Sequence, residues 1–155
     1  KKSMIEKNFT FIIPAAGRSI RFYNKKSKIF YKYKKKFLIE HVIDKCTKIT
    51  KKIIIVSNKK NLNDLKLFLE KKKIKYIKIV LQKNPKGMGH AVNLALKKVK
   101  TKFSAVIWAD QIYLKNLTIL KILGIEKNYI KIIKLIYFKS KERLKQFFTK
   151  PKNND

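Results

Sequence analysis

Glycine and proline are scarce in this 155-residue chain, at 4 and 3 residues. No stretch has the Gly/Pro-rich composition of a linker, so a single domain over residues 1–155 is expected, with a frayed tail at 151–155. One cysteine, Cys46, excludes an internal disulfide and suits a reducing compartment. No apolar run approaches the roughly 18 residues of a membrane span. The opening Lys1-Lys2-Ser3-Met4-Ile5-Glu6 has no apolar core of signal-peptide length, which makes the cytoplasm the expected location. Acids number 9 against 41 Lys and Arg, a net charge of +32. Such a charge first suggests nucleic acid as a partner. Arginine, the bidentate reader of bases and phosphates, is nevertheless confined to Arg18, Arg21 and Arg143. Lysine is spread along the whole chain, with Ile and Asn abundant beside it. That pattern fits an AT-rich coding sequence and a generic solvated lysine surface better than a nucleic-acid groove, which would cluster Arg and aromatics on one element.

What is present is a globular composition, 45% hydrophobic, with apolar runs at regular intervals. Strands are expected at Phe9–Ile13, Lys52–Val56, Ile74–Leu81, Phe103–Trp108 and Tyr129–Phe138. Helical spacing marks Phe37–Cys46, then Leu62, Leu65 and Leu69 after an N-cap at Asn61. It marks a helix from Gly87 through Val99, another at Leu114–Leu123 closed by Gly124, and a last one at Ser140–Phe148. Alternating strands and helices predict an α/β fold, a Rossmann-like three-layer sandwich on a mostly parallel sheet. In such sheets ligands bind outside the carboxyl ends of the strands. Three apolar-to-polar junctions fall there: Pro14–Arg21, Gln82–Gly89 and Trp108–Asp110.

Three of the four glycines, Gly17, Gly87 and Gly89, lie in two of those junctions. A chain that otherwise avoids glycine keeps it where backbone turns tightly or meets a ligand closely. The segment Ile12-Ile13-Pro14-Ala15-Ala16-Gly17 reads as a buried strand delivering a phosphate-binding loop. Arg21 and Lys28, seven residues apart, could hold a triphosphate and stabilise the charge that develops on it. Asp110 closes an apolar strand, where a lone carboxylate needs a partner; Mg²⁺ shared with substrate phosphates would supply one, and an N-cap role is the alternative. His90 reads as a packed or capping histidine and His41 has no role. Glu40 and Asp44 read as surface ion pairs and Cys46 as core. No His/Cys cluster has zinc spacing.

These motifs resemble a known family. Pro14-Ala15-Ala16-Gly17 followed by Arg21-Phe22 and Lys28 is similar to the signature of the sugar-1-phosphate nucleotidyltransferases. Phe37-Leu38-Ile39-Glu40-His41-Val42-Ile43 is similar to their first helix, and Gln82 with Gly87-Met88-Gly89-His90-Ala91 to their base-reading segment. Ile107-Trp108-Ala109-Asp110 is similar to their metal motif. The likeness is strongest to N-acetylglucosamine-1-phosphate uridylyltransferase domains and covers about residues 9–123. It implies a nucleotidyltransferase that passes a nucleoside monophosphate from a Mg-NTP to a sugar phosphate and releases pyrophosphate. It further implies that Ala15, Ala16, Gly17, Gln82, Gly87 and Met88 bind the nucleotide, that Arg21 and Lys28 act on the phosphates, and that Asp110 holds Mg²⁺. A cytidylyl- or guanylyltransferase for another phosphorylated acceptor, and a non-catalytic basic module, are the alternatives. Ser19 and Ile20 stand where the family has Gly and Thr, Met88 where it has Thr, and Ala109 where it has Gly. Family domains run well beyond this length, and no second metal motif follows Asp110. The chain is therefore expected to be an incomplete or a degenerate domain. The sequence names neither base, acceptor nor oligomeric state.

Overall fold

Strands buried on both faces read as largely apolar runs, and two of them, Phe9-Thr10-Phe11-Ile12-Ile13 and Ile53-Ile54-Ile55-Val56, sit side by side at the centre of a parallel sheet. The computed structural model describes residues 8–17, 27–84 and 86–113, with the backbone of 137–138. Its elements in chain order are β1 (Phe9–Pro14), a short 3-10 helix (Lys28–Phe30), β2 (Lys32–Tyr33), β3 (Lys36–Phe37), α1 (Leu38–Thr47) and β4 (Ile53–Asn58). Then follow α2 (Leu62–Lys71), β5 (Ile77–Gln82), α3 (Gly87–Leu96), β6 (Phe103–Val106) and β7 (Tyr137–Phe138).

The main sheet has the order β5-β4-β1-β6-β7. β1 pairs parallel with β4 and with β6, β4 pairs parallel with β5, and β7 closes the sheet antiparallel to β6. The chain builds outward from β1 to β5 and then returns to the other side of β1. That reversal opens a crevice between β1 and β6 at their carboxyl ends.

Successive residues of β1 feed two cores. Phe11 and Ile13 face α1 and α2, packing with Ile39, Val42, Ile43, Cys46, Leu65 and Phe68. Ile12 faces α3, packing with Ala91, Val92, Ala95 and Leu96. Helices thus cover both faces, and the expected three-layer α/β sandwich is the observed one.

Several boundaries differ from the sequence reading. β5 starts at Ile77 rather than Ile74, because Ile74 belongs to the end of α2. There the Ile74 amide donates to the Leu69 carbonyl at 2.8 Å and the Lys73 amide to Glu70 at 2.8 Å, with Lys73 at φ 55°. This is a Schellman ending with lysine in the left-handed position that glycine usually takes. β6 stops at Val106, so Trp108 lies in a loop. Asn61 does not cap α2 with its side chain. A hairpin of β2 and β3 turns through Lys34 and Lys35, at φ 45° and 66°, with neither Gly nor Asn to signal it. The segments 114–136 and 139–155, with the expected helices at Leu114–Leu123 and Ser140–Phe148, the cap at Gly124 and the tail, lie outside the described residues. Of the strand expected at Tyr129–Phe138, only β7 is described. Among the described residues no helix is long and apolar enough to cross a membrane.

Candidate nucleotide site

The three strand-end junctions meet in one cleft of about 600 Å³. Pro14, Ala15, Ala16 and Gly17 line it from β1, Gln82, Gly87, Met88 and Ala91 from the β5–α3 junction, and Trp108, Ala109 and Asp110 from the loop after β6. Ser27, Lys28 and Ile29 enter from the 3-10 helix. Of the residues singled out in the sequence, Ala15, Ala16, Gly17, Lys28, Gln82, Gly87, Met88 and Asp110 are brought together here. Arg21, with Ser19 and Ile20, lies outside the described residues.

The first wall is extended backbone. The Ala15 amide donates to the Val56 carbonyl at 2.8 Å, continuing the β1–β4 ladder. A Cβ placed on Gly17 would meet nothing within 4 Å, so this glycine faces open space. Two buried asparagines at the end of β4 hold the wall from behind. Asn58 Nδ2 donates to the Ala16 carbonyl at 3.0 Å and the Gly17 carbonyl at 3.4 Å. Asn61 Nδ2 donates to the Ala15 carbonyl at 2.7 Å and to Ser27 Oγ at 3.2 Å. The pair is cross-braced: the Asn58 amide donates to Asn61 Oδ1, and the Asn61 amide to Asn58 Oδ1, each at 3.0 Å. Neither role is visible in the sequence, where Asn61 in front of a helix reads as a cap. The available signal is two asparagines three residues apart, directly after an apolar strand.

The second wall is the start of α3. Gly87 adopts φ 84°, a conformation that side-chain-bearing residues avoid. Gly89 sits within the first turn of the helix, which opens at Gly87 as expected. That turn carries no acid, so its free amides and positive dipole end are available to an anion. Gln82 is 2% exposed, and its Nε2 donates to the Gly87 carbonyl at 3.2 Å and to His90 Nδ1 at 2.8 Å. His90 thus serves as a packed partner that orients Gln82. The amide oxygen of Gln82 takes part in neither bond. Met88, 52% exposed, projects at the mouth of the cleft.

The third wall is a tight turn. The Trp108 amide donates to Gln111 Oε1 at 3.0 Å, the Gln111 amide returns to the Trp108 carbonyl at 3.1 Å, and the Ile112 amide reaches the Asp110 carbonyl at 2.8 Å. Lys45 Nζ donates to the Ile112 carbonyl, and burial lowers the pKa of this lysine from its usual value. Ala109 needs no glycine: the described non-glycine residues at positive φ are Lys34, Lys35 and Lys73, and the Ala109 methyl is buried in the core.

Lys28 and Asp110 close the mouth. Lys28 Nζ donates to Asp110 Oδ2 in an ion pair whose side chains are 40% and 37% exposed. Lys28 is held from behind by Ile29, which is buried, and by Phe30, whose ring lies edge-on to Phe37 at 5.6 Å and to Phe68 at 6.3 Å. Asp110 therefore faces a cation in the cleft, and the helix it was expected to cap as the alternative lies outside the described residues. Among the described residues no three of His, Cys, Asp and Glu gather as a ready-made metal cage. A single carboxylate lining a cleft of about 600 Å³ still fits Mg²⁺, which takes one or two carboxylates and completes its shell with phosphate oxygens and water.

The other sequence-level assignments resolve simply. Asp44 pairs with Lys36 at 2.7 Å on the surface, whereas Glu40, paired with Lys72 at 2.7 Å, is itself buried rather than exposed. Cys46 is a fully buried, unpaired core residue, and burial pushes its thiol pKa up. His41 Nε2 lies 2.7 Å from the Tyr33 carbonyl, away from the cleft.

Comparison with known proteins places the chain in a family. Residues 11–130 match the model of the MobA-like NTP transferase domain. The chain is 32% identical over 126 residues to the bifunctional protein GlmU of Buchnera aphidicola subsp. Schizaphis graminum, covering 80% of this chain and 26% of that protein. It is 39% identical over 106 residues to the bifunctional enzyme IspD/IspF of Pelagibacter ubique, covering 66% of this chain and 27% of that enzyme. The chain thus spans about a quarter of the length of these curated relatives. The fold of 4-diphosphocytidyl-2C-methyl-D-erythritol synthase from Anaerococcus prevotii superposes with a TM-score of 0.62 at 20% identity, over 79% of this chain and 52% of that one. With the family model covering most of its length, the chain belongs to the MobA-like NTP transferase family.

Proposed function

We propose that this domain binds a Mg-bound nucleoside triphosphate in the cleft and transfers its nucleoside monophosphate to a phosphorylated sugar or a similar acceptor, releasing pyrophosphate. The observation that carries this reading is the convergence of the β1, β5 and β6 junctions on one cleft with Lys28 and Asp110 at its mouth.

In this reading Ala15 lines the nucleotide loop, while the backbone amides of Ala16 and Gly17 and the free amides at the start of α3 receive the phosphates. The Gln82 amide and the Gly87 backbone face the base, with Met88 beside it. Lys28, joined by Arg21, neutralises the triphosphate. Asp110 would hold Mg²⁺ together with phosphate oxygens, and the metal when bound would add charge neutralisation on the same group. An acceptor phosphate oxygen attacks the α-phosphorus in line. The new P–O bond forms as the bond from the α-phosphorus to the α,β-bridging oxygen breaks, and the electron pair leaves on pyrophosphate. The protein contributes positioning and cations rather than covalent chemistry. Such a nucleotide enzyme suits the cytoplasm, as does the unpaired buried thiol of Cys46.

A cytidylyl- or guanylyltransferase for another phosphorylated acceptor is the second reading. It is favoured by the 39% identity to the bifunctional enzyme IspD/IspF of Pelagibacter ubique.

The sole tryptophan, Trp108, lines the cleft and is 39% exposed, so its fluorescence reports occupancy directly. Titration with the Mg²⁺ complexes of ATP, GTP, CTP and UTP should show saturable binding with a preference for one base. Asp110→Asn and Lys28→Ala should each weaken it, and pyrophosphate release with candidate acceptors then tests turnover. No binding of any nucleotide, or equal affinity in wild type and both variants, would overturn the proposal.

A further inference from the structure

Asn61 occupies the position from which an asparagine normally caps a helix, directly before α2. It has given up that role: no side-chain cap bond is made. Its side chain is 1% exposed and every polar atom of it is engaged elsewhere. Oδ1 accepts from the Asn58 amide at 3.0 Å, while Nδ2 donates to the Ala15 carbonyl at 2.7 Å and to Ser27 Oγ at 3.2 Å.

We infer that Asn61 is a positioning residue that ties together the two ends of the nucleotide loop. Ala15 is where the chain leaves β1. Ser27 is where it returns, and the next residue is Lys28, the cation facing Asp110. One amide group therefore fixes the spacing between the backbone wall and the lysine. The inference rests on the cleft being the nucleotide site, but the hold on the loop is a property of the empty protein.

The anchor itself is firm. The Asn61 carbonyl accepts from the Leu65 amide at 3.0 Å in the first turn of α2, and α2 buries Leu65, Phe68 and Leu69 in the core. Only a neutral amide serves both functions. An aspartate would keep the acceptor for Asn58 but set a carboxylate oxygen against the Ala15 carbonyl. It would also be a good helix cap, so α2 would keep its N-terminus while the loop lost its tether.

The test is Asn61→Asp, with Asn61→Ala as the second variant and Thr50→Val as the control. Thr50 is a fully buried hydroxyl at the opposite end of the sheet that donates to the Phe9 carbonyl at 3.3 Å. Hydrogen exchange is read without ligand at the Ala15 amide, which donates to the Val56 carbonyl at 2.8 Å, and Mg-UTP affinity is read from Trp108 fluorescence. Exchange should quicken by about tenfold in the Asn61 variants, the factor expected for one lost hydrogen bond to a buried group, and affinity should fall by about the same factor. Thr50→Val should change neither. Unchanged exchange at Ala15 in both Asn61 variants, or an equal rise in Thr50→Val, overturns the inference. If the wild type binds no nucleotide, the functional proposal fails and the exchange arm alone decides the role of Asn61.

Discussion

Lys28 Nζ donates a hydrogen bond to Asp110 Oδ2 across 82 residues of sequence, so the carboxylate proposed to hold a metal is engaged by a cation of the protein itself. Under the proposed function a divalent ion would compete with that lysine, and a triphosphate would draw it away. Removing Lys28 should therefore have opposite effects on two ligands. Lys28→Ala should tighten binding of Mn²⁺ alone by up to about fivefold, the worth of a partly exposed ion pair of ~1 kcal/mol. The same variant should weaken binding of the Mg-NTP complex, because a phosphate cation is lost. Calorimetry with each ligand measures both signs.

Gly87 and Gly17 separate backbone strain from access. A methyl group on Gly87 has free space but must adopt φ 84°, so Gly87→Ala should destabilise the fold by about 1–2 kcal/mol in urea unfolding. Gly17 has no such constraint and faces open space. Gly17→Ala should leave stability within about 0.5 kcal/mol of wild type and lower nucleotide affinity by filling space proposed for the ligand.

Cys46 is a clean probe of global opening. Burial raises its thiol pKa and removes it from solvent, so the native protein should not react with Ellman's reagent. Reaction should appear only as denaturant unfolds the chain, with a midpoint equal to that from circular dichroism. Fast labelling in buffer would show that α1 opens locally.

Lys45 carries a pH signature. Burial lowers its pKa below the usual 10.5, with the charge of Lys48 adding to the effect. The unfolded chain then binds the proton more tightly than the folded one, so this residue's contribution to stability rises with pH between the lowered value and 10.5. The stability of wild type relative to Lys45→Met should climb across that window, as read from urea melts at stepped pH. A flat difference would contradict the lowered pKa.

The central strands were legible because burial on both faces leaves a largely apolar run, as in β1 and β4. The cleft was legible through its junctions, since parallel topology sends every strand-to-helix turn to the same edge. Other features depend on contacts that no local pattern announces. Asn61 bonds a carbonyl 46 residues away, and nothing near it distinguishes this from a cap. The β2–β3 turn uses lysines in left-handed conformations and carries no turn residue. Gln82 stood out for its place after β5, but its link to His90 needed the helix to bring Nδ1 within 2.8 Å. Ile74 reads as strand by composition, yet it closes a helix whose end is stabilised by its amide.

The cleft is shaped by uncharged groups and guarded by charged ones. Asn58, Asn61 and Gln82 set its walls through amide hydrogen bonds that are buried and carry no net charge, whereas Lys28 and Asp110 stand partly in solvent. Added salt reaches the second set and hardly touches the first. Ionic strength should thus govern how often the cleft is filled without altering its form, and a protein kept at high salt would remain ready for its ligand on dilution.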